Sequence, residues 1–150
     1  MNTKLLVIVA VGLFLAADDG PNEKAKQELE ALQGTWNGVS AQENGQAVPE
    51  ANAKAMQFII KGDSYTFKLN GQEYEQGALK VDPTKKPKTI DIKITKGEDK
   101  GKEQLGFYEL DKDTLKLCVP APGKPRPQEF GAKAGSEANV LVFQRSHDVR

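Results

Sequence analysis

Few side chains in this 150-residue chain are of the kinds that carry chemistry, and their spacing assembles little. His147 is the only histidine and Cys118 the only cysteine. His147 follows the last apolar run, in a polar tail, so no Ser-His-Asp arrangement can form within the body of the chain. One histidine with one cysteine also falls short of the usual zinc site. Cys118 sits in Thr114-Leu115-Lys116-Leu117-Cys118-Val119, where it reads as a small half-buried hydrophobe of a strand; a reactive thiol and an intermolecular disulfide are the alternatives. Glu73 and Glu75, two apart in a strand pattern, point to one face, a spacing that suits an acid and base pair or a cation. A solvated outer face fits that spacing equally. Glycines stand singly at turns, with no phosphate-cradling loop before a helix. The expectation is a protein that is not an enzyme and that has no cofactor and no metal.

The elements that would position these residues are strands. Thr35 to Gln42 runs into the turn pair Asn44-Gly45, and Met56 to Lys61, Ser64 to Leu69 and Gln72 to Val81 follow, separated by Gly62-Asp63 and Asn70-Gly71. Tyr65, Phe67 and Leu69 alternate with Ser64, Thr66 and Lys68, and Ile90, Ile92 and Ile94 alternate with Asp91, Lys93 and Thr95, so each strand has one core face and one wet face. In Gln72 to Val81 the same reading sets Tyr74 and Ala78 against Glu73, Glu75 and Gly77, with Gly77 as a bend. Lys102 to Leu110, Leu115 to Val119 and Asn139 to Arg145 complete about eight strands, and Gln128 to Lys133 reads as an edge piece. Pro120 to Pro127 carries four prolines and predicts a long loop. Before the first strand, Ala25, Leu29 and Leu32 lie on one stripe of a short helix that plugs one end, and Asp18 to Lys24 reads as a disordered spacer. Pro49 to Ala55 predicts a second short helix, over the mouth or simply on the surface.

Short hairpins without helical crossovers predict an all-β fold, an antiparallel up-and-down barrel, with a two-layer sandwich as the alternative. Gly34 and Trp36 at the start and Arg145 at the end favour the barrel, since they place an indole under a guanidinium across the closing seam. Residues 1–17 read as a signal peptide: Lys4, then an apolar run from Leu5 to Leu15, then Ala16-Ala17 before Asp18. The run is too short to span a membrane, which takes roughly 20 residues. Residues 18–31 are then spacer and helix, 32–146 the barrel and 147–150 a tail. The 21 basic and 21 acidic side chains become 20 and 21 on removal of residues 1–17, so nothing argues for nucleic acid or an anionic membrane as partner.

Gly34-Thr35-Trp36 and Arg145 are similar to the Gly-x-Trp signature and the terminal basic residue of lipocalin-type (calycin) barrels. Leu32-Gln33-Gly34-Thr35-Trp36, Gly62-Asp63-x-Tyr65, Asp82-Pro83-x-Lys85-Lys86-Pro87, Gly106-x-Tyr108-x-Leu110, Asp113 to Cys118 and Arg126-Pro127 together resemble an uncharacterised family of small exported domains abundant in planctomycete bacteria. The resemblance implies a lipocalin-like barrel and an exported, periplasmic or secreted, location. It brings no established activity, and this chain lacks the disulfide of many secreted lipocalins.

The function expected is binding of a small apolar molecule inside the barrel, against Phe58, Ile60, Tyr65, Phe67, Ile92, Phe107 and Leu117. Gly38, Ser40, Gly77 and Ala78 would leave space toward one end, whereas the bulky residues with Ile90, Ile94 and Leu115 could largely fill it. The wall offers no evident charged anchor, which suits a neutral or weakly polar lipid-like molecule. The alternative is a filled barrel acting as a protein-interaction or inhibitor module through the Pro-rich loop.

Overall fold

The computed structural model describes residues 21–147, and the expected signal peptide lies outside them. Helix α1 (Pro21–Ala31) begins earlier than the spacer reading allowed. Pro21 occupies the opening position, where its missing N–H costs nothing, and Glu23 in the first turn complements the helix dipole. Then come β1 (Gly34–Glu43), β2 (Gln46–Ala47), helix α2 (Glu50–Lys54), β3 (Met56–Lys61), β4 (Ser64–Leu69), β5 (Gln72–Asp82), β6 (Thr89–Lys96), β7 (Glu103–Asp111), β8 (Thr114–Pro120) and β9 (Ala138–Arg145). Each strand from β3 to β9 pairs antiparallel with the next, and β1 pairs with both β3 and β9. The result is a closed eight-stranded lipocalin-like barrel, with the short β2 added to the far end of β1. Closure leaves the barrel without a free edge.

The seam is built on Trp36 and Arg145, which face each other in the β1–β9 register. The guanidinium carbon lies 4.3 Å from the indole centroid. Arg145 also donates to Gln33 O (2.7 Å) and Ala31 O (2.8 Å), carbonyls that the end of α1 leaves without helical partners, and pairs with Asp113 at 3.1 Å. The indole N–H donates to Leu32 O at 2.9 Å. Gly34 has φ +123, and its missing side chain leaves room for the guanidinium, whose Nη1 would lie 3.4 Å from a Cβ there. One stack therefore closes the barrel and fixes the helix that plugs it.

The core fills that plugged end, where Leu32, Trp36, Ile60, Leu79, Val81, Ile90, Tyr108 and Leu115 are all buried, with Leu29 packed against them. Tyr108 reaches the helix: its hydroxyl donates to Glu28 Oε2 at 3.0 Å, and Lys88 Nζ meets the same oxygen at 2.9 Å. Burial first, and the Glu28 carboxylate second, hold the Tyr108 hydroxyl well above its ordinary titration range.

The Pro-rich segment does not hang free, and Gln128 to Lys133 forms no strand. Arg126 donates to Gly106 O (2.6 Å) and pairs with Asp91 (2.7 Å), while Phe130 stacks on Phe107 at 6.5 Å. The segment thus covers part of the barrel's outer wall, where Phe107, Cys118 and Ala138 form a second buried cluster with Phe130 and Val140 packed on it. Cys118 is fully buried there rather than half-buried. Burial pushes its thiol pKa up, against the pull of a bond from Gly131 N.

Candidate functional site

Three register irregularities decide what the barrel interior holds. Along β5, Glu75 faces Phe67 and Glu73 faces Lys68, so Tyr74 is an extra residue with no partner of its own. Such a bulge flips the register of the strand beyond it. Glu73 stays on the outer face with Lys68, whereas Glu75 turns inward beside Tyr65. The two carboxylates expected on one face are on opposite faces. Gly77, Leu79 and Val81 follow Glu75 inward, and Ala78, expected to leave interior space, faces out. Similarly, Gly38 pairs with Phe143 and Ser40 with Val142, which skips Val39. Ser40 is thereby turned outward, and Ala41 takes the inward position. A third shift, between Gln76 and Gly77 opposite Thr95, helps β5 curl.

Inward residues at the unplugged end are consequently too small or too short to meet. They leave a cavity of about 560 Å³ that opens between the β1–β3, β4–β5, β6–β7 and β8–β9 connections. Phe58, Phe67, Ile92, Leu117, Leu141 and Phe143 form its apolar wall, and Tyr65, Glu75 and Gln104 supply polar groups. Glu43, Asn52, Tyr74 and Asp99 stand at the rim. Helix α2 lies over this mouth rather than on the outer surface, with Pro49 and Asn52 lining the cavity and Ala53 fully buried.

Of the seven interior residues expected from the sequence, Phe58, Tyr65, Phe67, Ile92 and Leu117 come together around the cavity. Ile60 belongs to the packed core but does not line it. Phe107 is corrected outright: it is in the outer cluster with Cys118, and its neighbour Tyr108 takes the inward place. The aromatic doublet hid this, because β7 is buried on one face by the core and on the other by the covering loop. Leu141, Phe143 and Ala41 line the cavity as well, and the alternation of Leu141 with Val140 and Val142 is a sequence signal for the first two.

The expected absence of a charged anchor is also corrected, since Glu75 is in the wall. Tyr65 Oη donates to Glu75 Oε2 at 2.6 Å. Burial raises the Glu75 carboxyl above its usual range, the Tyr65 bond draws it back, and the Asp99 carboxylate raises it further. The Tyr65 hydroxyl is raised by burial and then by Glu75. A carboxyl whose folded-state pKa exceeds its unfolded one favours the fold fully below the unfolded pKa, and that contribution is lost as pH rises through the folded pKa. At neutral pH the Glu75 charge is therefore a cost. Glu75→Gln, which keeps an acceptor for Tyr65, is expected to raise the melting temperature at neutral pH, with the gain shrinking toward zero as the pH falls through the carboxylate range. Thermal melts of both proteins across pH check this, and a constant or reversed difference would contradict it.

His147 meets Asp113 at 3.2 Å beside the seam, at the plugged end and away from the cavity. Among the described residues no group of three or more His, Cys, Asp and Glu side chains is placed to hold a metal ion, and no helix is long and apolar enough to cross a membrane. No family model, curated protein or solved structure matches the chain.

Proposed function

We propose that this is an exported binding protein, not an enzyme, which holds a small molecule with an apolar body in the open half of its barrel. The observation that carries the reading is the cavity itself. At about 560 Å³ it falls within the roughly 300–1,000 Å³ usual for small-molecule sites. It has an aromatic and aliphatic wall and lies at the end of the barrel away from α1. A barrel built only for its own stability would gain by filling that space, since interiors otherwise pack to crystal-like density. The reading as a filled interaction module has less support, because Arg126 of the Pro-rich loop and Phe130 just after it are committed to the barrel's own wall.

Titration of the purified protein with an environment-sensitive apolar dye is expected to give saturable binding at one site per chain. Dye emission is the readout to use, since Trp36 lies in the plugged core and does not line the cavity. A linear, non-saturating response would remove the carrier reading. Export rests on Lys4, the Leu5 to Leu15 run and Ala16-Ala17, and on the likeness to the exported planctomycete domains. Mass spectrometry of protein recovered from its native cells is expected to find a start near Asp18; an intact Met1 on cytosolic material would refute export.

A further inference from the structure

The cavity's charges are all of one sign. Glu43, Glu75 and Asp99 line it, and no lysine, arginine or histidine does. Asp99 at the rim is paired with Lys102 at 3.2 Å, but Glu75, deeper in, forms no ion pair among the described residues. Its one side-chain partner is the neutral Tyr65 hydroxyl, which occupies Oε2. The bulge that turns Glu75 inward brings Tyr74 with it, and the Tyr74 ring meets Phe67 edge to face at 6.1 Å. Tyr74 is 46% exposed, one of two large hydrophobic residues left so open among the described residues.

A half-buried carboxylate flanked by aromatic rings is the chemistry that recognises an ammonium group. The carboxylate supplies charge and an acceptor, and the ring faces supply cation–π attraction that grows on desolvation. A carboxylate or phosphate head would instead meet three acidic side chains with no basic group in the wall to offset them. We propose that the molecule held here is an amphiphile with a basic amine head, seated with its head against Glu75 beside the Phe67 and Tyr74 pair and its apolar tail along Phe58, Leu117 and Phe143. This assignment rests on the cavity being a binding site.

Three probes with the same tail and different heads test it: decylamine, decanol and decanoate, each below its micellar concentration, titrated calorimetrically into the purified protein at neutral pH. Decylamine is expected to bind about tenfold or more tighter than decanol, a difference of ~1.4 kcal/mol, with decanoate weakest. In Glu75→Gln the advantage of the amine over the alcohol is expected to disappear. Because the head-group order is read on the unaltered protein, the test does not depend on a variant folding. Equal binding of amine and alcohol, or decanoate binding as tightly as decylamine, would overturn the head-group assignment while leaving the apolar cavity reading standing. Failure of all three to bind would overturn both.

Discussion

Trp36→Ala is expected to destabilise the fold by about 3–5 kcal/mol, as the deletion of a buried large aromatic does. The indole is completely buried, so its removal opens a cavity at the plugged end of the barrel. It also removes the N–H that serves Leu32 O and the platform on which the Arg145 guanidinium lies. Domain stabilities are roughly 5–15 kcal/mol, so this one change would consume a large share of the total. Arg145→Ala is expected to cost less. Its stack is worth about 0.5–2 kcal/mol, its ion pair with Asp113 is partly exposed and weak, and water can reach the helix-end carbonyls it serves. Denaturation midpoints of the two variants give the ranking. A larger loss for Arg145→Ala would mean that the guanidinium, not the indole, holds the seam together.

Where one face of a strand is core and the other water, side-chain alternation alone located the element. β3 and β4 lie where the apolar runs predict them, residue for residue, and Ile90, Ile92 and Ile94 all point inward. The seam was legible for a similar reason: a first strand opening on Gly34 and Trp36 and a last one ending in Arg145 are signals independent of the residues between them. The site was less legible, because it is made by irregularities that have no residue signature. Tyr74 reads as an ordinary strand residue, yet as the extra residue of a bulge it reverses which of Glu73 and Glu75 enters the barrel. Phe107 failed for a different cause. Its partners on the outer wall come from Phe130 and Cys118, and a loop folding back from a distant segment leaves no periodic trace in β7 itself. The residues on which the proposed ligand chemistry rests are thus those for which local pattern carries the least information.

Gly38→Val is expected to be the other strongly disruptive change, and the one that ties stability to the mouth. Gly38 is on the inner face of β1 where α2 crosses it. A Cβ there would lie 2.0 Å from Ala53 O and 3.1 Å from Met56 O, both backbone atoms that cannot rotate aside. Helix α2 must move away, and it is short, with five residues and no side-chain cap at its start, so little inside it resists. Its hold on the barrel is Ala53, which is fully buried and would be drawn out. Overpacking of this kind costs about 1–3 kcal/mol and sometimes more, and valine should exceed alanine. Because Pro49 and Asn52 of this segment line the cavity, the same displacement widens the mouth. Dye affinity should therefore fall in Gly38→Ala even under conditions where its denaturation curve shows the protein fully folded. Unchanged stability in Gly38→Val, measured by the denaturation midpoint, would mean that α2 does not rest on β1 as closely as the geometry requires. Unchanged dye affinity in a folded, destabilised Gly38→Ala would separate α2 from the proposed binding site and leave dye contact to the strands alone.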